Sequence, residues 1–284
     1  MCAIRTIPVI LLYGHSVKSE KEKRTMILTR REVLGAVGIA AGSCALSSCA
    51  MEEIGSFPDG TGKRVFPWKY TELDPDITAS MAYSNFDKGH CMYAAFSSAI
   101  SQLADEYGQP YRSFPVEMMR YGAGGVGGWG SLCGAVNGSA ALISLFVKKE
   151  EDLKQLVDEL FLWYQQTELP VYVPHKPALN IEIAKSVSSS VLCHVSVSRW
   201  CKVSGHKTFT KPQKERCKRL TADTAKKTVE ILNAHFTSRF AAARQHDENT
   251  RQCMPCHTKG SELQNTCGKM SCTSCHSSLA DEHM

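Results

Sequence analysis

The chain has 284 residues, with 33 Lys and Arg against 28 Asp and Glu and with 13 cysteines. That length accommodates one sizeable core with a small appendage and excludes an array of large domains. The net charge of +5 is held by residues 1–31, which carry seven basic and two acidic groups; from Ala50 onward 26 basic residues face 25 acidic ones, so nucleic-acid binding has little electrostatic support.

An export signal is the first element. Arg30 and Arg31 directly precede a mildly apolar run from Val33 to Leu46, the pattern of a twin-arginine signal peptide, with Met26 the expected translation start and residues 1–25 an upstream extension. The run is too short and too rich in Gly, Ala and Ser for a membrane span, which takes roughly 20 apolar residues. "LSSC" at Leu46–Cys49 also fits a lipoprotein box with Cys49 as lipid anchor, although ordinary cleavage nearby is the preferred reading. The expected location is the periplasm, and 1–49 are set apart as extension and signal.

The mature chain reads as mainly α: a helical bundle over 50–244 and a small irregular domain over 245–284. Residues 52–87, punctuated by Pro58, Gly60, Gly62, Pro67 and Pro75, are expected to be irregular. Met92, Ala95, Phe96, Ala99, Ile100 and Leu103 then share one helical face, stopped by Gly108 and Pro110. A glycine loop over Gly122–Gly130 lacks the order of a dinucleotide fingerprint and has no Walker lysine, which excludes the common nucleotide sites. It leads into a helix over about 132–147, whose Gly134, Ala135, Gly138, Ser139 and Ala140 would admit another backbone or a cofactor.

Leu153, Leu156, Val157, Leu160, Phe161 and Tyr164 mark a third helix, and Val229, Leu232, Phe236 and Phe240 a fourth over about 222–240. Between them, 170–218 break into prolines and lysines around "SVSSSVLCHVSVSRWC", which is expected to hold a short strand or turns. The polar tail is too poor in apolar residues to fold on its own core, and bound haem would supply one.

Two Cys-x-x-Cys-His units lie in that tail: Cys253, Cys256 and His257, and Cys272, Cys275 and His276. Two thiols per unit add across the haem vinyl groups, and the adjacent imidazole becomes the proximal iron ligand. A zinc site would give no reason for histidine to recur immediately after each pair. Two covalently bound haem c groups per chain are therefore expected, with fourteen residues between His257 and Cys272. His90, His235 and His246 are the candidate distal ligands. Cys91, Cys133, Cys193, Cys201 and Cys217 are candidate iron–sulfur ligands, with disulfides as the competing use; the twin-arginine route, which exports folded protein, favours a cluster. Cys267 belongs to neither haem unit and has no assigned role.

"GHC" at Gly89–Cys91, "GGWGSLCGAVNG" at Gly127–Gly138, and Cys201 with Cys217 resemble the redox-active C_GCAxxG_C_C family. Joined to a dihaem tail, they resemble the split-Soret cytochromes c of sulfate-reducing bacteria. The chain departs from the family label in placing Cys133 before the central glycine rather than after it. The resemblance implies a periplasmic homodimer formed through the haem-bearing region, a helical domain holding a [2Fe-2S] centre, and haems that stack with those of the partner subunit. It implies an electron carrier exchanging electrons with periplasmic redox proteins. A haem-dependent reductase of a small inorganic substrate is the alternative, and the sequence offers no convergent group of Lys, Arg and His for it.

Overall fold

The computed structural model describes residues 66–274 and residue 276. The paired arginines, Cys49, Cys275 and the last eight residues lie outside the described residues, as do the readings that depend on them. The architecture is mainly α with one small antiparallel strand pair, as the periodicity predicts. Among the described residues no helix is long and apolar enough to cross a membrane.

Helix α1 runs from Pro75 to Tyr107, well upstream of the first predicted apolar stripe. Pro75 is not a breaker there: it occupies the first turn, where its missing N–H has no role, and Asp74 caps Asp76 and Ile77 through its carboxylate. Gly108 ends the helix as expected.

The helix is interrupted at Gly89 and His90, the latter at φ 62 and ψ −164. That conformation costs a non-glycine residue on the order of 1–3 kcal/mol. It makes Cys91 the first residue of a new helical segment.

A 3₁₀ stretch, Val116–Gly122, leads into the glycine loop, where Gly124, Gly125, Gly127, Gly128 and Gly130 all have positive φ. Helix α2, Gly134–Phe146, packs closely on α1. A Cβ at Gly138 would stand 2.4 Å from the Met92 carbonyl oxygen, so the predicted close backbone approach is real. Helix α3, Glu150–Gln166, matches its predicted stripe, with Glu150, Glu151 and Asp152 at its positive end.

The run predicted to hold a short strand or turns does begin with a short strand, and the structure adds a helix that was not predicted. Strand β2, Ser186–Val187, pairs antiparallel with β1, Glu168–Leu169, which lies just before the segment. "CHVSVSRWCKVS" forms a helix, α4, over Cys193–Ser204. Local β-preference yields to the burial of Ser196 and Trp200 one turn apart, with the Trp200 indole N–H donating to the Ala184 carbonyl at 2.9 Å.

Helix α5 spans Lys211–Phe236, eleven residues longer at its start than predicted. Its first turns bury charge rather than apolar side chains, which is why no stripe is visible there. Glu215 accepts from the Tyr83 hydroxyl and from Arg219 Nε at 2.8 Å, and Lys218 donates to Asp87 at 2.6 Å. Helix α1 lies along α5 and α2, and the main core gathers Phe96, Ile100, Leu103, Leu142, Ile143, Leu156, Leu160 and Leu232 between them. The tail forms a helix, α6, over Glu248–His257, capped by Asp247, and a 3₁₀ turn, Cys272–Ser274.

Candidate functional site

Two sites are built by these elements, one around dispersed cysteines and one in the tail. Cys91 opens the second segment of α1, Cys133 stands immediately before α2, and Cys193 opens α4. Three helix N-termini thus bring a thiol each to a cavity of about 660 Å³, and Cys217 on α5 supplies a fourth. Helix N-termini carry partial positive charge and favour thiolate. Glycines let the backbone come close behind two of these cysteines: a Cβ at Gly134 would lie 2.4 Å from Cys91 Sγ, and one at Gly125 would lie 2.8 Å from Cys193 Cβ.

Burial governs the resting protonation of these thiols. Desolvation, reinforced by the neighbouring cysteines, pushes Cys91 well up, raises Cys133, and raises Cys193 to about 12. Raised in this way, Cys91, Cys133 and Cys193 are protonated at neutral pH. Cys201 does not line this cavity; it sits two turns along α4 from Cys193, close enough to Cys217 and Arg216 to feel both. His90 lines the cysteine cavity, so its position separates it from the tail.

Sequence reasoning missed three groups here. Arg216 is 1% exposed and lines the cavity. One terminal nitrogen donates to Ser196 Oγ at 2.8 Å, and the other reaches Cys217 Sγ at 3.9 Å. Among the described residues its buried Nε has no partner. Burial opposes the guanidinium charge, but Cys217, Tyr164 and Cys133 more than offset it, and the net shift is upward. The Tyr164 hydroxyl donates to Ser196 Oγ at 2.9 Å, joining α3, α4 and α5 in one network. Only Arg216 left a sequence signal, a charge beside a candidate ligand.

Among the described residues no carboxylate lines this cavity, whereas Lys211, Lys214 and Arg216 do. The donors are soft, and the surroundings suit a group of multiple negative charge. Among the described residues no three His, Cys, Asp or Glu side chains stand close enough to hold a single metal ion.

In the tail, Cys253, Cys256 and His257 all lie on α6. The Cys272 N–H donates to Thr250 Oγ at 3.2 Å, folding the second unit back onto the first. A cavity of about 460 Å³ is lined by Cys253, His257, Cys267, Cys272 and His276. Burial and the nearby Cys272 raise the Cys253 thiol. His257 Nδ1 is 2.8 Å from Asn265 Oδ1, which orients the ring and leaves Nε2 as the lone-pair nitrogen when Nδ1 carries the proton. Of the described tail residues from His246 onward, only Thr250 is buried. Thiols, imidazoles and a missing apolar core together fit covalently attached haem.

The tail rests on the bundle. Glu159 accepts from the N–H groups of Ala243 and Arg244 at 3.0 and 3.1 Å, Lys269 pairs with Asp158, and Ser274 Oγ donates to the Ser189 carbonyl at 2.7 Å. His246 lies in the crevice between tail and α3, beside Phe161, Leu162 and Met270. His235 is on the last turn of α5, edge-on to Phe236. Neither lines the tail cavity.

Comparison with known proteins follows the same division. A family described as "Putative redox-active protein (C_GCAxxG_C_C)" matches residues 93–231, ending before the tail and beginning just after Cys91. The split-Soret cytochrome c of Desulfovibrio desulfuricans is 36% identical over 270 residues, covering 90% of this chain and 96% of its own. A solved structure, described as a novel iron centre in the split-Soret cytochrome c of that organism, superposes with a TM-score of 0.71 at 38% identity. It covers 75% of this chain and 92% of its own.

Proposed function

The chain belongs to the split-Soret cytochrome c family, and on that premise we propose that it is a periplasmic dihaem c-type cytochrome carrying electrons, with an additional iron–sulfur centre. The observation that carries the reading is the pair of Cys-x-x-Cys-His units, of which Cys253, His257, Cys272 and His276 line one tail cavity while Cys256 is exposed on the same helix. Cys253, Cys256, Cys272 and Cys275 would form the thioether links, with His257 and His276 as proximal ligands. Haem would supply the one-electron iron chemistry. The chain supplies attachment, ring orientation through Asn265, and docking of the tail on α3. For a distal ligand the position of His246 is the most favourable of the three candidates, because its crevice shares Met270 with the tail cavity.

The cysteine cavity is assigned to an iron–sulfur centre held by Cys91, Cys133, Cys193 and Cys217. Four soft thiol donors lining one cavity, with Lys211, Lys214 and Arg216 beside them, suit the chemistry and the negative charge of such a centre. A [2Fe-2S] centre is the form proposed. Cys201, outside the cavity, is the reserve thiol. Homodimerisation through the haem-bearing region, export by the twin-arginine route and exchange with periplasmic redox proteins complete the proposal.

Domain limits of 50–244 for the cluster-bearing part and 245–284 for the haem-bearing part go with it. The test is iron and labile-sulfide analysis of anaerobically isolated protein beside a haem count. Non-haem iron with sulfide supports the cluster, and iron equal to haem rejects it.

A further inference from the structure

One short piece of chain joins the two sites, and we propose that Ser189–Cys193, with Ser274, is the relay by which electrons pass between cluster and haem. This deepens the function proposed above and rests on it. At one end of the segment the Cys193 thiol lines the cysteine cavity, and the Val191 carbonyl accepts from the Cys133 N–H at 2.9 Å, so two thiols of the site are anchored here. At the other end the Ser189 carbonyl accepts from Ser274 Oγ at 2.7 Å. In sequence Ser274 stands between Cys272 and Cys275, inside the second haem-attachment unit.

The junction is held firmly. The Ser189 N–H donates to the Gln165 carbonyl at 2.9 Å and its hydroxyl accepts from Arg199 at 2.9 Å. Ser189 also takes φ 51, a left-handed backbone that a serine adopts at a cost when its surroundings require it. Beside the hydrogen bond, Leu132 and Val191 share a crevice with Met270 of the tail, and Leu132 and Leu192 form an isolated β-bridge. Polar and apolar contacts therefore run in parallel across the same gap. The four steps from Ser189 to Cys193 span at most about 14 Å even when fully extended. The first haem unit meets the second within the tail, through Thr250 and Cys272, so the second unit is the port to the cluster.

Each transfer would move one electron from a cluster held by Cys91, Cys133, Cys193 and Cys217, oxidised by one unit, to a ferric haem held by Cys272, Cys275 and His276, reduced by one unit. No covalent bond forms or breaks, and a reduced one-electron redox protein of the periplasm restores the cluster. Ser189 and Ser274 are positioning residues: they couple the sites without touching the reacting irons.

The experiment uses the full, loaded chain and its Ser274→Ala variant, photoreduced by a flavin semiquinone, with cluster and haem absorbance followed in time. Loss of the Ser274 bond is expected to slow internal transfer, because the hydrogen-bonded link between the two sites is removed. Both potentials should stay unchanged, and Ser274→Thr should restore the rate. An unchanged rate in a variant that retains cluster and both haems overturns the relay and leaves the proposed function standing. Absence of non-haem iron overturns the function reading itself. A second measurement needs no variant: microwave power saturation of the reduced cluster's EPR signal. In protein freeze-quenched before internal transfer is complete, ferric haem nearby is expected to speed its relaxation relative to fully reduced protein, and equal saturation in the two states overturns the relay.

Discussion

Arg216 offers the sharpest quantitative prediction, because a buried guanidinium among four cysteines must act on any electron that arrives there. The perturbation is Arg216→Gln, which removes the charge while retaining a donor for Ser196. The Arg216 nitrogen lies 3.9 Å from Cys217 Sγ. Unit charges about 4 Å apart interact by about 4 kcal/mol at an effective dielectric of 20. The guanidinium charge is spread over three nitrogens and the added electron sits on iron beyond the sulfur, roughly doubling the separation and leaving about 2 kcal/mol.

For a one-electron centre that is about 90 mV. Removing a positive charge destabilises the reduced state, so the potential falls. The assay is an EPR-monitored redox titration of the cluster, with Arg216→Lys expected to recover most of the shift. A change under about 20 mV in a variant that keeps its cluster iron would refute the electrostatic argument.

Three other perturbations follow from local geometry. Gly134→Ala drives a methyl into Cys91 Sγ and the Gly122 carbonyl, at 2.4 and 2.6 Å. It should cost about 1–3 kcal/mol in denaturant unfolding and deplete non-haem iron while sparing haem; full iron retention would contradict the packing. Replacing Cys253 and Cys256 together by serine should halve the covalent haem per chain in a pyridine haemochrome assay, and loss of all or none would contradict two independent attachment units.

Asp223 is 5% exposed, and burial raises its carboxyl to about 7 from 3.8, despite the N–H groups of Val171 and Tyr172. A group raised on folding contributes stability that is fully present below its unfolded pKa and lost as pH rises through its folded one. Stability should therefore fall by a few kcal/mol, in order of magnitude, between about pH 4 and pH 7. Asp223→Asn, which still accepts from Val171, should flatten that dependence in urea titrations; an unchanged slope would exonerate Asp223.

Features encoded by contiguous residues were legible from sequence. Covalent haem attachment needs two thiols and an imidazole in one short run, so Cys253–His257 announces itself without any knowledge of the fold. Helix α3 was equally plain, because one side is apolar and its first turn acidic. The start of α5 was hidden because its buried residues are Glu215, Arg216 and Lys218, whose partners Tyr83 and Asp87 lie on α1. Helix α4 was hidden by a Val and Ser run whose local preference opposes the helix it forms, and the start of α1 by a proline that begins a helix as readily as it ends one. The cysteine site was legible as an inventory but not as a place, since its members converge through the His90 kink and three separate helix starts. Tyr164, Ser196 and Arg216 join it only through packing.

The central claim, a dihaem carrier with a separate cluster, is tested most directly by one anaerobic preparation analysed for acid-acetone-resistant haem, total iron and labile sulfide. The account predicts two covalent haems per chain and two further irons with two sulfides. Haem that extracts with acid acetone, or iron in equal number to haem, would contradict it.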